Sequence, residues 1–142
     1  MTNLTHKATQ ILANDLYATQ ATGVKLEDIR QDYAQCTLQL QPHHRNAVNN
    51  VMGGVIYTLA DFAFAAAANS PCIETEQPLA WVTVSSTIHY LAQPTGNKLT
   101  AETQCIKRGK TSCLFHINIY DRQQNPVALV ITAGRKTAPQ NN

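Results

Sequence analysis

The sequence predicts an α+β domain in which a curved, mostly antiparallel sheet of five or six strands wraps one long helix. Three observations lead there. The stretch GGVIYTLADFAFAAAAN, from Gly53 to Asn69, is apolar around nearly its whole helical circumference and has to be surrounded. The segments LAWVTVSSTIHYL, KLTAETQCIKR, TSCLFHINIYD and PVALVITAGRKT that follow it alternate with period two, as half-buried strands do. The element order, a short helix, two strands, the long helix and then four strands, lacks the strand–helix alternation of a parallel sheet.

The elements follow in order. Residues 5 to 18 form a short amphipathic helix with Ile11, Leu12, Leu16 and Tyr17 near a common side and Thr5 as its cap. Val24 to Arg30 and Tyr33 to Leu40 read as strands, the second ended by Pro42. HHRNAVNN is a polar loop leading into the long helix, which stops before Pro71. A loop with Pro71 and Pro78 precedes the strands, RQQN turns between the last two, and 138–142 is a polar tail behind a domain that spans the chain, 1–142, with 1–20 as its N-terminal helix region. One domain of this length is too small to cover every face of the central helix, so a second copy is expected, as a homodimer or a dimer of dimers.

Composition excludes several functions. A formal net charge of +2 is too small for a nucleic-acid footprint or a membrane-surface patch. The first twenty residues lack a charged leader with an apolar core, and no apolar run is long enough to span a bilayer, so a cytoplasmic protein is expected. Cys36, Cys72, Cys105 and Cys113 form no C-x-x-C pair and suggest neither a zinc site nor a disulfide framework, although Cys105 and Cys113 flank a hairpin symmetrically. His43 and His44 have no further ligand pattern and read as loop residues; neither metal nor cofactor is expected.

The chemistry concentrates on the long helix. Asp61 stands among Leu59, Phe62, Ala63 and Phe64, where a carboxylate has to be compensated or used. Gly53 and Gly54 are poor helix formers at its first turn. They serve either close helix-to-strand packing or the approach of a ligand to unpaired N–H groups at the positive end of the helix dipole. Eight residues separate Gly53 from Asp61, about 12 Å along the axis, too far to meet at one carbon. Two such helices packed antiparallel across a twofold axis would set the glycines of one copy opposite Asp61 of the other, as nucleophile or general base facing a polarised carbonyl.

The residues N-x-x-N-x-x-M-G-G-V-I-Y-T-L-A-D, from Asn46 to Asp61, resemble the hotdog-fold acyl-CoA thioesterases of the PaaI-like and 4-hydroxybenzoyl-CoA thioesterase superfamily. So do the strand VTVSSTIHYLAQP, the hairpin KRGKTS and the closing strand VALVITAGRKT, which extend the resemblance over nearly the whole chain. It implies hydrolysis of an acyl-CoA thioester at a dimer interface. In that role Asn46 places the thioester or water, the Gly53 N–H polarises the carbonyl, Asp61 is the catalytic carboxylate and Thr83 helps to position water. Thr83, Ser85, Thr87 and His89 are expected to share one strand face. The turn Lys107, Arg108, Gly109, Lys110 and Thr111 resembles the family's contact with the nucleotide and pantetheine of coenzyme A, with Lys136 adding to the patch. Read by itself it is a solvated hairpin turn. Two positions depart from the pattern: Met52 where a histidine is usual, and Asn49, which tolerates a left-handed backbone, where glycine is frequent. Met52 motivates a second reading, an acyl-CoA-binding protein without efficient chemistry. Tyr57, Phe64 and Trp81 are the residues whose packing is expected to set the acyl pocket.

Overall fold

The computed structural model describes residues 2–138, so the tail from 139 onward lies outside the described residues. Helix α1 (Asn3–Leu12) begins at Thr2, whose hydroxyl accepts the Thr5 N–H at 3.1 Å. The cap is therefore Thr2, and Thr5 is buried inside the helix. The helix also ends sooner than the apolar pattern suggests. Asn14 Nδ2 donates to the Ile11 carbonyl at 3.1 Å, closing the last turn, and the chain continues as a π-helical turn (Tyr17–Thr22) ended by Gly23 at φ +96°. Side-chain donors that compete for backbone carbonyls end helices in this way. Leu16 and Tyr17 then lie exposed rather than beside Ile11 and Leu12.

Strands β1 (Lys25–Arg30), β2 (Tyr33–Gln39), β3 (Trp81–Tyr90), β4 (Lys98–Arg108), β5 (Ser112–Asp121) and β6 (Pro126–Lys136) form one antiparallel sheet in the order β1-β2-β4-β5-β6-β3. Helix α2 (Gly53–Ala68) lies along its concave side, followed by a short α3 (Ser70–Glu74) that takes Pro71 into its first turn, where a missing N–H costs nothing. Ile56, Leu59, Ala60, Phe62, Phe64 and Ala67 are buried with Leu38, Leu99, Phe115, Ile117 and Val130 of the sheet. The Phe64 and Phe115 rings meet edge to face at 5.6 Å. A methyl at Gly134 would lie 2.6 Å from the Phe64 ring, so the helix comes within contact of the β6 backbone only because that position carries no side chain.

The sheet has four register shifts, and two of them, in β3 and β4, decide which of the candidate site residues face the helix. In β3 the register slips between Thr83 and Ser85, with Thr83 opposite Gly134 and Ser85 opposite Ala133. A bulge reverses the alternation downstream of it. Thr83 faces the helix, whereas Ser85, Thr87 and His89 face outward, and Ser86 takes the inward phase with its hydroxyl 2.8 Å from that of buried Thr132. The four polar residues expected on one face are thus divided between two. In β4 a second slip, between Cys105 and Lys107, sets Lys107 opposite Leu114 and Arg108 opposite Cys113.

Two buried polar side chains tie the frame together. Asn69, at the C-terminus of α2, donates to the carbonyls of Ala65 and Trp81 and accepts the N–H groups of Ala80 and Trp81, all within 3.1 Å. This fixes the start of β3 to the helix end. His44 accepts the Gln41 N–H on Nδ1 at 2.9 Å and, as the Nε2–H tautomer this requires, donates to the Thr22 carbonyl at 2.8 Å. The loop before α2 is thereby pinned to the end of the π-helical turn.

Asn69→Ala leaves two buried N–H groups without acceptors and is expected to destabilise the fold by about 3 kcal/mol, read as a shift in the urea midpoint. Burial pushes the His44 pKa below its ordinary 6.5, against the pull of the Thr22 carbonyl. The stability this neutral ring lends is whole above 6.5 and is lost as pH falls from there through the lower folded value. Urea midpoints measured downward from pH 7.5 are expected to drop more steeply in the wild type than in His44→Gln.

Candidate active site

The site starts from the loop before α2. Arg45 and Val51 form an isolated antiparallel bridge, and between them Asn46 Oδ1 accepts the N–H groups of Val48 and Asn50 at 3.1 and 3.0 Å. Two donors on one oxygen fix the amide, leaving Nδ2 as an exposed hydrogen-bond donor. Asn49 closes the turn at φ +64°, the left-handed conformation that glycine or asparagine supplies. The Met52 N–H binds the His44 carbonyl at 2.9 Å and the Val51 N–H binds Gln93 Oε1 at 2.8 Å. Met52 occupies the N-cap without a side-chain cap. Among the described residues no acceptor meets the N–H of Gly53 or Gly54, so the positive end of the α2 dipole is bare.

The two glycines differ. A Cβ on Gly53 would lie 2.9 Å from the ring of Tyr90, whose hydroxyl donates to the Gly53 carbonyl at 2.9 Å. A side chain at position 53 would displace the tip of the Tyr90 ring and its hydroxyl. A Cβ on Gly54 would meet only the Met52 methyl at 3.6 Å, so Gly54 faces open space.

Asp61 lies two turns further on. Gly54 is exposed, and Thr58, Asp61 and Ala65 are half-buried along a stripe that the sheet leaves uncovered. Thr83 Oγ1 donates to Asp61 Oδ1 at 3.1 Å. Burial raises the Asp61 pKa above the ordinary 3.8; the Thr83 hydroxyl pulls it down and the Asp15 carboxylate adds to the rise. Asp61 and Thr83 thus form one cluster, and Gly53, Gly54 and the Asn46 loop form another at the helix start. A single chain does not bring the two together.

Lys107 and Arg108 are neighbours in β4 and face opposite sides, and the bulge upstream decides which one turns inward. Arg108 points to the helix side, where Nε and Nη2 donate to Asp32 Oδ1 at 2.9 and 2.6 Å and Nη2 also reaches the Ala68 carbonyl at 3.0 Å. Its guanidinium lies 4.7 Å over the Trp81 ring, and buried Nη1 has no hydrogen-bond partner among the described residues. Lys107 faces outward on a groove of about 460 Å³ shared with Val84, Thr111, Leu114, Ala133 and Arg135. Lys136 lines a different pocket, beside Trp81 and Arg108. Arg135, which sequence reasoning missed, is therefore the β6 cation beside Lys107; the period-two phase of β6 from buried Thr132 carries the signal that would have found it. Gly109 forms the tight turn, its N–H on the Ser112 carbonyl at 2.8 Å, with Lys110 exposed at the tip.

Of the residues expected around the acyl group, Phe64 is wholly buried, Trp81 lies under Arg108 and Tyr57 is half-buried. The four cysteines are free thiols, and Cys105 pairs across the hairpin with Phe115 rather than Cys113. Among the described residues no group of three or more His, Cys, Asp or Glu side chains is placed to hold a metal ion, and no helix is long and apolar enough to cross a membrane.

Comparison with known proteins agrees with this fold. Residues 48–128 match the family model of the thioesterase superfamily. The acyl-coenzyme A thioesterase PaaI of Escherichia coli K12 is 34% identical over 131 residues, covering 89% of each chain. The structure of E. coli PaaI superposes with a TM-score of 0.80 at 30% identity, over 97% of this chain and 99% of that one. A hypothetical thioesterase from Streptococcus pneumoniae, solved with coenzyme A, shares the fold with a TM-score of 0.78 at 20% identity, over 92% and 99% of the two chains. The protein smu.793 from Streptococcus mutans, solved bound to acetyl CoA, does so with a TM-score of 0.71 at 18% identity, over 83% and 91%. With its six-stranded sheet folded around α2, the chain belongs to the thioesterase superfamily and has the hotdog fold.

Proposed function

We infer that the protein is an acyl-CoA thioesterase whose site is shared between two copies of the chain. The observation that carries this reading is Asp61, an acid held on an uncovered helix stripe by Thr83 with its pKa raised, on the same helix as two amide donors that lack acceptors. The identity to PaaI supports the substrate class, as do the coenzyme A and acetyl CoA bound to the streptococcal proteins. The second copy is supported by the open stripe and by β3, which ends the sheet with one side unpaired.

In this reading the thioester oxygen accepts from the Gly53 and Gly54 amides, Asn46 Nδ2 orients the thioester or water, and the carbonyl carbon becomes more electrophilic. Asp61 of the partner subunit, steadied by Thr83, attacks that carbon or takes a proton from the attacking water. The carbon–sulfur bond breaks and coenzyme A leaves as the thiol, taking the proton that Asp61 removed from water. Where Asp61 itself attacks, water then hydrolyses the acyl–Asp61 anhydride, supplies that proton and releases the acid. Lys107 and Arg135 flank a groove suited to the phosphates, with Gly109, Lys110 and Thr111 at its turn. Arg108 supports that turn from behind through Asp32 and the end of α2. Four free thiols suit a reducing compartment, in accord with a cytoplasmic location.

Free-thiol release over short, medium and aromatic acyl-CoAs tests the reading. Asp61→Asn is expected to lower kcat/KM by about 10²–10³-fold. Wild-type turnover in that variant removes Asp61 from the mechanism, and tight binding without turnover, rescued by Met52→His, identifies a binding protein instead. An acid whose folded pKa lies above its unfolded 3.8 weakens the fold once ionised. The same substitution is therefore expected to raise the melting temperature at pH 7, and the acid limb of the wild-type kcat/KM profile to fall above 3.8. Gly54→Ala fits the free protomer without a clash, so it is expected to keep the melting temperature while lowering kcat/KM about tenfold or more by obstructing the carbonyl's approach.

A further inference from the structure

We propose that Tyr90 is a positioning residue for the carbonyl-binding amides, fixing and polarising the Gly53–Gly54 peptide through its hydroxyl so that the Gly54 N–H stands as a preset donor. The inference rests on the thioesterase reading and goes beyond it. The Gly53 carbonyl and the Gly54 N–H are two ends of one planar peptide unit. In an α-helix that carbonyl already takes the N–H four residues on, and the Tyr90 hydroxyl donates to it as well, at 2.9 Å. Each donor on the oxygen draws charge from the nitrogen end, which strengthens the hydrogen bond the N–H can give by roughly 10–30%. It also holds the plane of the peptide, so the donor needs little reorganisation when charge develops on the substrate oxygen.

Three further features support this. The Tyr90 ring occupies the space a Gly53 side chain would fill, so Gly53 admits Tyr90 while Gly54 stays open. The hydroxyl makes this bond at the surface, on a residue that is 53% exposed, so the bond is not a by-product of core packing. Three residues on, Gln93 Oε1 takes the Val51 N–H at 2.8 Å, a second clamp on the entry to the same turn. The β3 bulge makes the arrangement available. Thr83 and Tyr90 are seven residues apart, an odd interval that strict alternation would place on opposite faces, yet Thr83 reaches Asp61 and Tyr90 reaches Gly53.

The test is Tyr90→Phe in the full-length protein, which keeps the ring against Gly53 and removes only the hydroxyl. With the most active acyl-CoA of the panel, kcat is expected to fall about five- to tenfold, a fraction of what losing a direct oxyanion donor costs, with KM and melting temperature unchanged. The spectroscopic probe is an acyl-CoA ketone analogue, sulfur replaced by methylene and the carbonyl carrying carbon-13. Its infrared carbonyl stretch is expected to drop on binding to the wild type and to recover part of that drop in Tyr90→Phe. Unchanged kcat and stretch in the variant overturn the inference, as does an activity loss that tracks a fall in melting temperature. If Asp61→Asn and Gly54→Ala lose activity while Tyr90→Phe retains all of it, the inference alone falls. If the wild type neither releases thiol nor shifts the stretch, the thioesterase reading fails and takes the inference with it.

Discussion

Burial of one helix against the concave side of a single sheet is the constraint on which the rest of this structure depends. The α2 sequence meets it with alanine at positions 60, 63, 66, 67 and 68, all buried, so that the large side chains of β2, β4, β5 and β6 can close on the helix. Phe64 extends furthest, onto the bare backbone of Gly134. One sheet cannot reach around the whole circumference, and the remaining stripe carries Asp61. The acid is thus tolerated for a geometric reason: it stands where its own sheet does not cover it, close enough to β3 to take one hydroxyl.

The two ends of α2 are treated in opposite ways. At the C-terminus the Ala67 and Ala68 carbonyls receive Arg108, whose charge is balanced by Asp32 and spread over Trp81, while Asn69 joins the last turn to the next strand. The carbonyls of Ala65, Ala67 and Ala68 are all taken up. At the N-terminus the amides from Val48 to Met52 are bound by the loop, His44 and Gln93, and among the described residues the two glycine donors after them meet no acceptor. A helix neutralised at its negative end and bare at its positive end presents a fixed positive potential to whatever approaches.

Much of this was legible in the sequence because it is periodic or local. Alternation located five of the six strands, the apolar circumference located α2, and the Asn46–Asp61 stretch with its resemblance indicated the thioesterase family. What escaped is what a single-residue phase change or a long-range hydrogen bond decides. Val84 and Ile106 are ordinary strand residues, and nothing in their composition announces a bulge, yet they move Ser85, Thr87 and His89 off the helix side and turn Arg108 inward and Lys107 outward. The α1 boundary turned on Asn14, a local side chain competing with the helix ladder. His44 and Asn69 look like loop and cap residues until partners 22 and 12 positions away are known. For the two glycines the sequence left packing and ligand approach as rivals; in the fold, the tip of the Tyr90 ring adjoins Gly53 and open space adjoins Gly54.

The bulge in β3 also bears on how such a chain can diverge. Surface loops absorb insertions and deletions because their neighbours do not depend on their phase. Around Val84 the reverse holds, since gaining or losing one residue would turn every side chain on one flank of the strand over and detach either the acid or the helix start from its hydroxyl partner. Ancestry in this strand should therefore be written in substitutions, with length changes confined to the connections at either end.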